Sequence, residues 1–153
     1  MAMPTIFVDA DACPIKDEVE RVARRHNLPV VYVANQGARP SRDPLIRHVA
    51  VAATPDAADD WIVDNLQPAD IVITADILLA GRAVALSALV LGPNGHRHSP
   101  DSIGMAVAMR NLKQQLREAG QDRGINAAFG PRDRAMFLQA MHEAAQEAIR
   151  LKK

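Results

Sequence analysis

Asp9 and Asp11 stand two residues apart at the end of an apolar run, Thr5-Ile6-Phe7-Val8, with only Ala10 between them. Successive side chains on a strand alternate between faces, so an i, i+2 pair on a strand projects to one side. Two carboxylates held close together repel unless something neutralises them. Hard divalent ions such as Mg²⁺ or Mn²⁺ are the usual partners of carboxylate oxygen. An aspartate at a strand-to-helix turn is also a good helix cap, but capping needs only one. Pro14 follows, a residue suited to the first turn of a helix because its missing N–H costs nothing there.

Asp76 repeats the pattern of Asp9, closing a second apolar run, Ile71-Val72-Ile73-Thr74-Ala75. If that run neighbours the first in a sheet, both carboxylates face one crevice, and ligands of open α/β sheets bind outside the carboxyl ends of the strands. Thr74, two residues before Asp76, has a hydroxyl able to donate to a carboxylate or a phosphate. Asp56, Asp59 and Asp60 crowd the start of a further helix. Carboxylates there complement the helix dipole, yet like charges at i, i+4 are unfavourable. One of them is expected to turn toward the cluster. Asp59 is assigned, because Trp61 and Ile62 must face the core.

The elements that would position these groups alternate strand with helix. Strands are expected at 5–10, 30–34, 46–51, 70–75 and 88–91, and helices at 14–26, 56–66 and 77–87. Each strand rests on a β-branched or apolar run, and each helix on apolar residues at three- and four-residue spacing. Such alternation implies a mainly parallel, doubly wound sheet with helices on both faces, a three-layer α/β/α fold. Beyond residue 100 the pattern turns helical, at 101–119 and 132–151, joined by a loop from Gly120 to Pro131. Met105, Met109, Met136 and Met141 lie at helical spacings and are expected to pack these helices together. His96 and His98 flank Arg97 beside the Gly92-Pro93-Asn94-Gly95 turn and are expected to be exposed. The whole of 1–153 reads as one domain, with a sheet core over about 5–95 and a helical part over about 101–151.

Composition narrows the function further. Aromatic residues are only 3% of the chain, with one Trp and one Tyr, too few for a base-stacking platform of the RRM or OB type. The single cysteine, Cys13, cannot form an internal disulfide, lacks a histidine partner and is assigned a structural role. No apolar stretch is long enough to span a bilayer, and no signal region opens the chain, so a cytoplasmic protein with no membrane partner is expected. Charge is uneven: residues 1–76 hold 12 acidic and 7 basic side chains, whereas residues 77–153 hold 6 acidic and 11 basic. An acidic half beside a basic one suits a metal site flanked by a phosphate-attracting surface.

The stretches Val8-Asp9-Ala10-Asp11-Ala12-Cys13-Pro14, Val33-Ala34-Asn35-Gln36, Ala58-Asp59, Ile73-Thr74-Ala75-Asp76-Ile77 and Arg132-Asp133-Arg134 together resemble the bacterial YaiI/YqxD family, of the PIN-like, NYN-type nuclease group. The resemblance runs from about residue 5 to residue 137, with Leu78 where the family often has proline and Ala69 where glycine often precedes Asp70. It implies a PIN-like sheet and a cluster of Asp9, Asp11, Asp59 and Asp76 that binds Mg²⁺ or Mn²⁺ and cleaves phosphodiesters. Substrate contacts are then expected from Thr74, Asn35, Gln36, Arg39, Arg42, Arg110, Arg132 and Arg134, with RNA favoured over DNA.

Two other functions share part of this pattern. A haloacid-dehalogenase-type phosphatase also opens with an apolar strand and Asp-x-Asp, the first aspartate being its nucleophile. Its acidic pair should follow the threonine strand and a lysine, yet Asp59 and Asp60 precede Thr74 and no lysine lies between residues 17 and 112. A non-catalytic RNA-binding module would act through arginines and lysines on phosphates, among them Arg97, Lys113 and Arg117. Retention of four carboxylates argues against it, because unneeded buried charge is costly.

Overall fold

The computed structural model describes residues 3–10, 14–35, 41–120 and 129–152. Its elements run β1 (Ile6–Asp9), α1 (Lys16–His26), β2 (Val30–Ala34), β3 (Ile46–Ala50), α2 (Ala57–Asn65), β4 (Ile71–Ile73), α3 (Ile77–Ala85), β5 (Leu89–Leu91), β6 (Arg97–His98), α4 (Ile103–Glu118) and α5 (Pro131–Lys152). The strands form one sheet in the order β3-β2-β1-β4-β5-β6. β1 to β5 are parallel, and only the edge strand β6 runs antiparallel, against β5.

Alternation along the strands sorts the core into two apolar layers. Ile6 and Val8 of β1, with Ile71 and Ile73 of β4, face α1 and α5, where Val19, Val22, Phe137 and Met141 are buried. Phe7, Val31 and Val72 point the other way, onto Ala58 and Ile62 of α2 and Leu79 and Ala83 of α3. Helices on both faces of the sheet make three layers, as alternating β and α elements require. α4 contributes no fully buried side chain and packs chiefly along α3.

Two left-handed positions shape the connections. Asn27 closes α1 at φ 57, with the Leu28 N–H donating to Ala23 at 2.9 Å; asparagine tolerates this conformation well. Ala69 sits at φ 67 immediately before β4. A glycine would be relaxed there, which gives a physical reason for the family pattern.

Several expectations need correction. β1 ends at Asp9, with Ala10 already in a 3₁₀ turn, one residue short of the expected strand end, and Asp11 lies outside the described residues. β6 is too short and polar to announce itself, and His98 within it is buried, not exposed. Of the four methionines only Met141 is in the core. Met105 and Met109 of α4 are 68% and 45% exposed, since α4 packs chiefly along α3, and Met136, in the first two turns of α5, is 53% exposed. Among the described residues no helix is long and apolar enough to cross a membrane.

Candidate functional site

In the sheet, β1 sends its successor β2 to one side and has β4 on the other. Crossovers leave in opposite directions at this point, and a crevice opens outside the carboxyl ends of β1 and β4. Asp9 is the last residue of β1 and is buried. Period two puts its side chain on the same face as Phe7, toward α2 and α3. The β1–β4 register pairs Val8 with Ile73, so the next positions on each chain are Asp9 and Thr74. The buried Thr74 Oγ1 donates to Asp9 Oδ2 at 3.0 Å and accepts from the Asp76 N–H at 2.9 Å.

Asp76 is the N-cap of α3. Its Oδ1 accepts from the N–H groups of Leu78 at 2.8 Å and Leu79 at 3.4 Å, so its carboxylate is fixed by the helix it starts. Asp59 comes from the first turn of α2, the helix on the same face, with Ile62 of that helix fully buried. Burial first, then the charges of Asp76 and Asp9, push the Asp59 carboxyl up from 3.8 to about 6, against a partial opposing effect of Arg82. Two strand ends and one helix start therefore meet in one electrostatic field. Asp60 turns away and pairs with Arg82 at 2.9 Å. Arg82 is a cation beside the cluster that sequence reasoning missed, since nothing in its spacing from Asp60 marks it.

The remaining expected residues are dispersed. Asp11, Gln36, Arg39 and Cys13 lie outside the described residues. Asn35 directly follows β2 and is exposed, as is Arg42. Arg132 is exposed in the first turn of α5. Arg134 is engaged within the chain, donating to the Pro14 carbonyl at 2.7 Å and pairing with Glu18 at 3.1 Å. Arg110 lines a cavity on α4 and donates to Gln114 at 3.3 Å.

The donor set suits a hard cation chemically: carboxylate oxygens only, whose mutual repulsion one cation would relieve. It does not form a closed cage, because among the described residues no three His, Cys, Asp or Glu side chains are grouped tightly enough to hold a metal ion together. Such a partial set fits an Mg²⁺-like ion, which keeps several waters and uses one or two carboxylates plus substrate phosphate.

Fold and site together define a mainly parallel three-layer α/β/α protein with carboxylates gathered at the switch point of its sheet. The chain belongs to the YaiI/YqxD family, described as "Uncharacterized BCR", whose model matches residues 7–147. It is 58% identical to the UPF0178 protein mlr0875 of Mesorhizobium japonicum, across 98% of this chain and 97% of that one. It is likewise 58% identical to the UPF0178 protein Atu1478 of Agrobacterium fabrum, across 90% of each chain. No solved structure is a significant match.

Proposed function

We propose that this protein is a metal-dependent nuclease of PIN-like type that cleaves phosphodiester bonds, in RNA in preference to DNA. The observation that carries this is the convergence of Asp9, Asp59 and Asp76 at the switch point between β1 and β4. Asp9 and Asp76, with Asp59 and the neighbouring Asp11, would hold Mg²⁺ or Mn²⁺. Such an ion supplies activation of water and charge stabilisation at the phosphorus.

The chain's own residues do the positioning. Thr74 clamps the Asp9 carboxylate and the Asp76 backbone to each other, so both acids keep one orientation without a ligand. The α3 N-terminus fixes Asp76, whose carboxylate accepts from the Leu78 and Leu79 N–H groups. Asp59, whose carboxyl is pushed up to about 6 by burial and by the charges of Asp76 and Asp9, is the acid whose charge a cation in the crevice would relieve.

The test is cleavage of single-stranded RNA and DNA by the purified protein with Mn²⁺, with Mg²⁺ and with chelator. Asp76→Asn should abolish cleavage yet remain folded, because asparagine caps a helix as well as aspartate does. Nucleic-acid binding by that variant should be retained or improved, one negative charge having gone. Wild-type protein that binds RNA but cleaves nothing under either metal would make it a binding module. Hydrolysis of small phosphate esters alone would bring back the phosphatase.

A further inference from the structure

Beside Asp76 the surface opens into two adjoining cavities of ≈ 560 Å³ and ≈ 450 Å³, which share Ala75, Ile77, His96 and His98 as walls. Ala75 and Ile77 flank Asp76 in the chain, so the cavities begin where the carboxylate site ends. The second cavity runs along α4, where Arg110, Lys113 and Arg117 form its far wall. These three are spaced i, i+3, i+7 and share one helical face. Along the axis they cover about 10 Å.

Two observations show that this wall is not ordinary helix surface. Neither Arg110 nor Lys113 forms an ion pair among the described residues, although the chain is acidic elsewhere. Opposite them, His98 is buried at 7% exposure, and its Nδ1 has no hydrogen-bond partner among the described residues. A buried polar atom that the fold itself does not satisfy calls for an explanation, and His96 packs edge-on against it at 4.9 Å. Cations on one side and imidazoles on the other make a slot for an anion.

We propose that the cleft between α4 and the β5–β6 edge holds the backbone phosphates of a single-stranded nucleic acid as it leaves the carboxylate site. The choice of polyanion rests on the nuclease reading; the existence of an anion site there does not. Arg110 and Lys113 contact successive phosphates, and His98 lines the floor on which the strand lies. A strand so placed is led past Ala75 and Ile77 to Asp76.

The experiment is fluorescence anisotropy of labelled oligouridylate and oligothymidylate against the full chain in EDTA, where metal-dependent cleavage cannot occur. Binding is measured over a range of salt for wild type, for Arg110→Glu/Lys113→Glu, and for Arg21→Glu/Arg25→Glu on the far side of the molecule. Both double variants change charge equally and at exposed or half-exposed helix positions. The α4 variant should lose affinity on the order of tenfold, and its slope of log K against log salt should shrink by about 1.4, two contacts at 0.7 each. The α1 variant should match wild type in slope. His98→Phe, which keeps a planar ring but removes its nitrogens, should weaken binding without altering that slope.

Equal losses in both double variants would overturn the proposal, since net charge alone would then be responsible. No binding by wild type, or displacement of the oligonucleotide by poly-glutamate at equal charge, would overturn it too. Failure of the nuclease reading looks different: binding lost in the α4 variant as expected, with no cleavage by wild type under any metal. Cleavage by wild type with unchanged binding in the α4 variant would leave the nuclease standing and remove the cleft.

Discussion

Asp59 bears the electrostatic strain of the site, and it gives the protein a pH dependence of defined sign. Its carboxyl is raised from 3.8 to about 6 by burial, then by Asp76 and Asp9, so the folded state holds the proton more tightly than the unfolded chain. The stability this provides is fully present below about pH 4 and is lost as pH rises through about 6. Asp59→Asn should flatten the dependence between these limits and should be more stable than the parent at neutral pH without divalent ions. Urea unfolding across that range checks it, and an unchanged slope in the variant would place the effect on another group. At this scale the sequence was informative where chemistry follows from local pattern. Asp9 and Asp76 were legible because apolar runs end on them, and Asp59 because Ile62 had to be buried. His98 was not legible, since two polar residues on a sheet edge carry no periodic signal. Arg82 escaped notice because its approach to Asp60 depends on how α2 and α3 lie together.

Elements with long apolar runs were found within two residues of their true ends, while the packing of α4 was not. A helix pattern specifies an apolar face but not what covers it, and Met105 and Met109 of α4 remain largely exposed. The β5–β6 connection shows what pattern cannot reveal. Gly95 lies at φ 86, and a Cβ there would sit 2.8 Å from the Met136 carbonyl oxygen and 2.9 Å from its carbon. Both atoms are helix backbone in α5 and cannot swing aside. Gly95→Ala therefore combines left-handed strain with a backbone clash, and should lower stability by about 3 kcal/mol. The urea midpoint should fall with little change in m. Because β6 is also tied to α5 by the Arg97–Glu147 ion pair, the variant should disturb the His96–His98 wall while leaving Asp9 and Thr74 in place. A loss below about 1 kcal/mol would mean that the turn can move away from α5.

Across the whole molecule the two apolar layers are closed by very different stretches of chain. The layer under α2 and α3 is assembled from neighbours in sequence, residues 57–85. The opposite layer needs α1 from the beginning and α5 from residues 131–152, with Phe137 and Met141 fully buried against β1 and β4. At the far end of α5, Lys152 Nζ reaches Asp70 Oδ1 at 2.7 Å, and the same carboxylate accepts from the N–H groups of Thr5 and Gln67. This is one buried junction joining the lead-in to β1, the lead-in to β4 and the last helix.

That junction sets an order of events for a chain emerging from the ribosome. Until residues 131–152 are free of the exit tunnel, one face of the sheet has only α1 on it, and Ile71, Ile73 and Leu91 face water or whatever else offers an apolar surface. The unfinished protein then exposes the kind of apolar surface that holdase chaperones bind, whereas the carboxylate crevice, including the α3 turn that holds Asp76, has all its residues outside. A chain stopped after Gly130 should bind ANS strongly and unfold without a cooperative transition, and supplying the 131–152 peptide in trans should reverse both. A truncated chain that melts as sharply as the full one would show that α5 arrives on a structure already made.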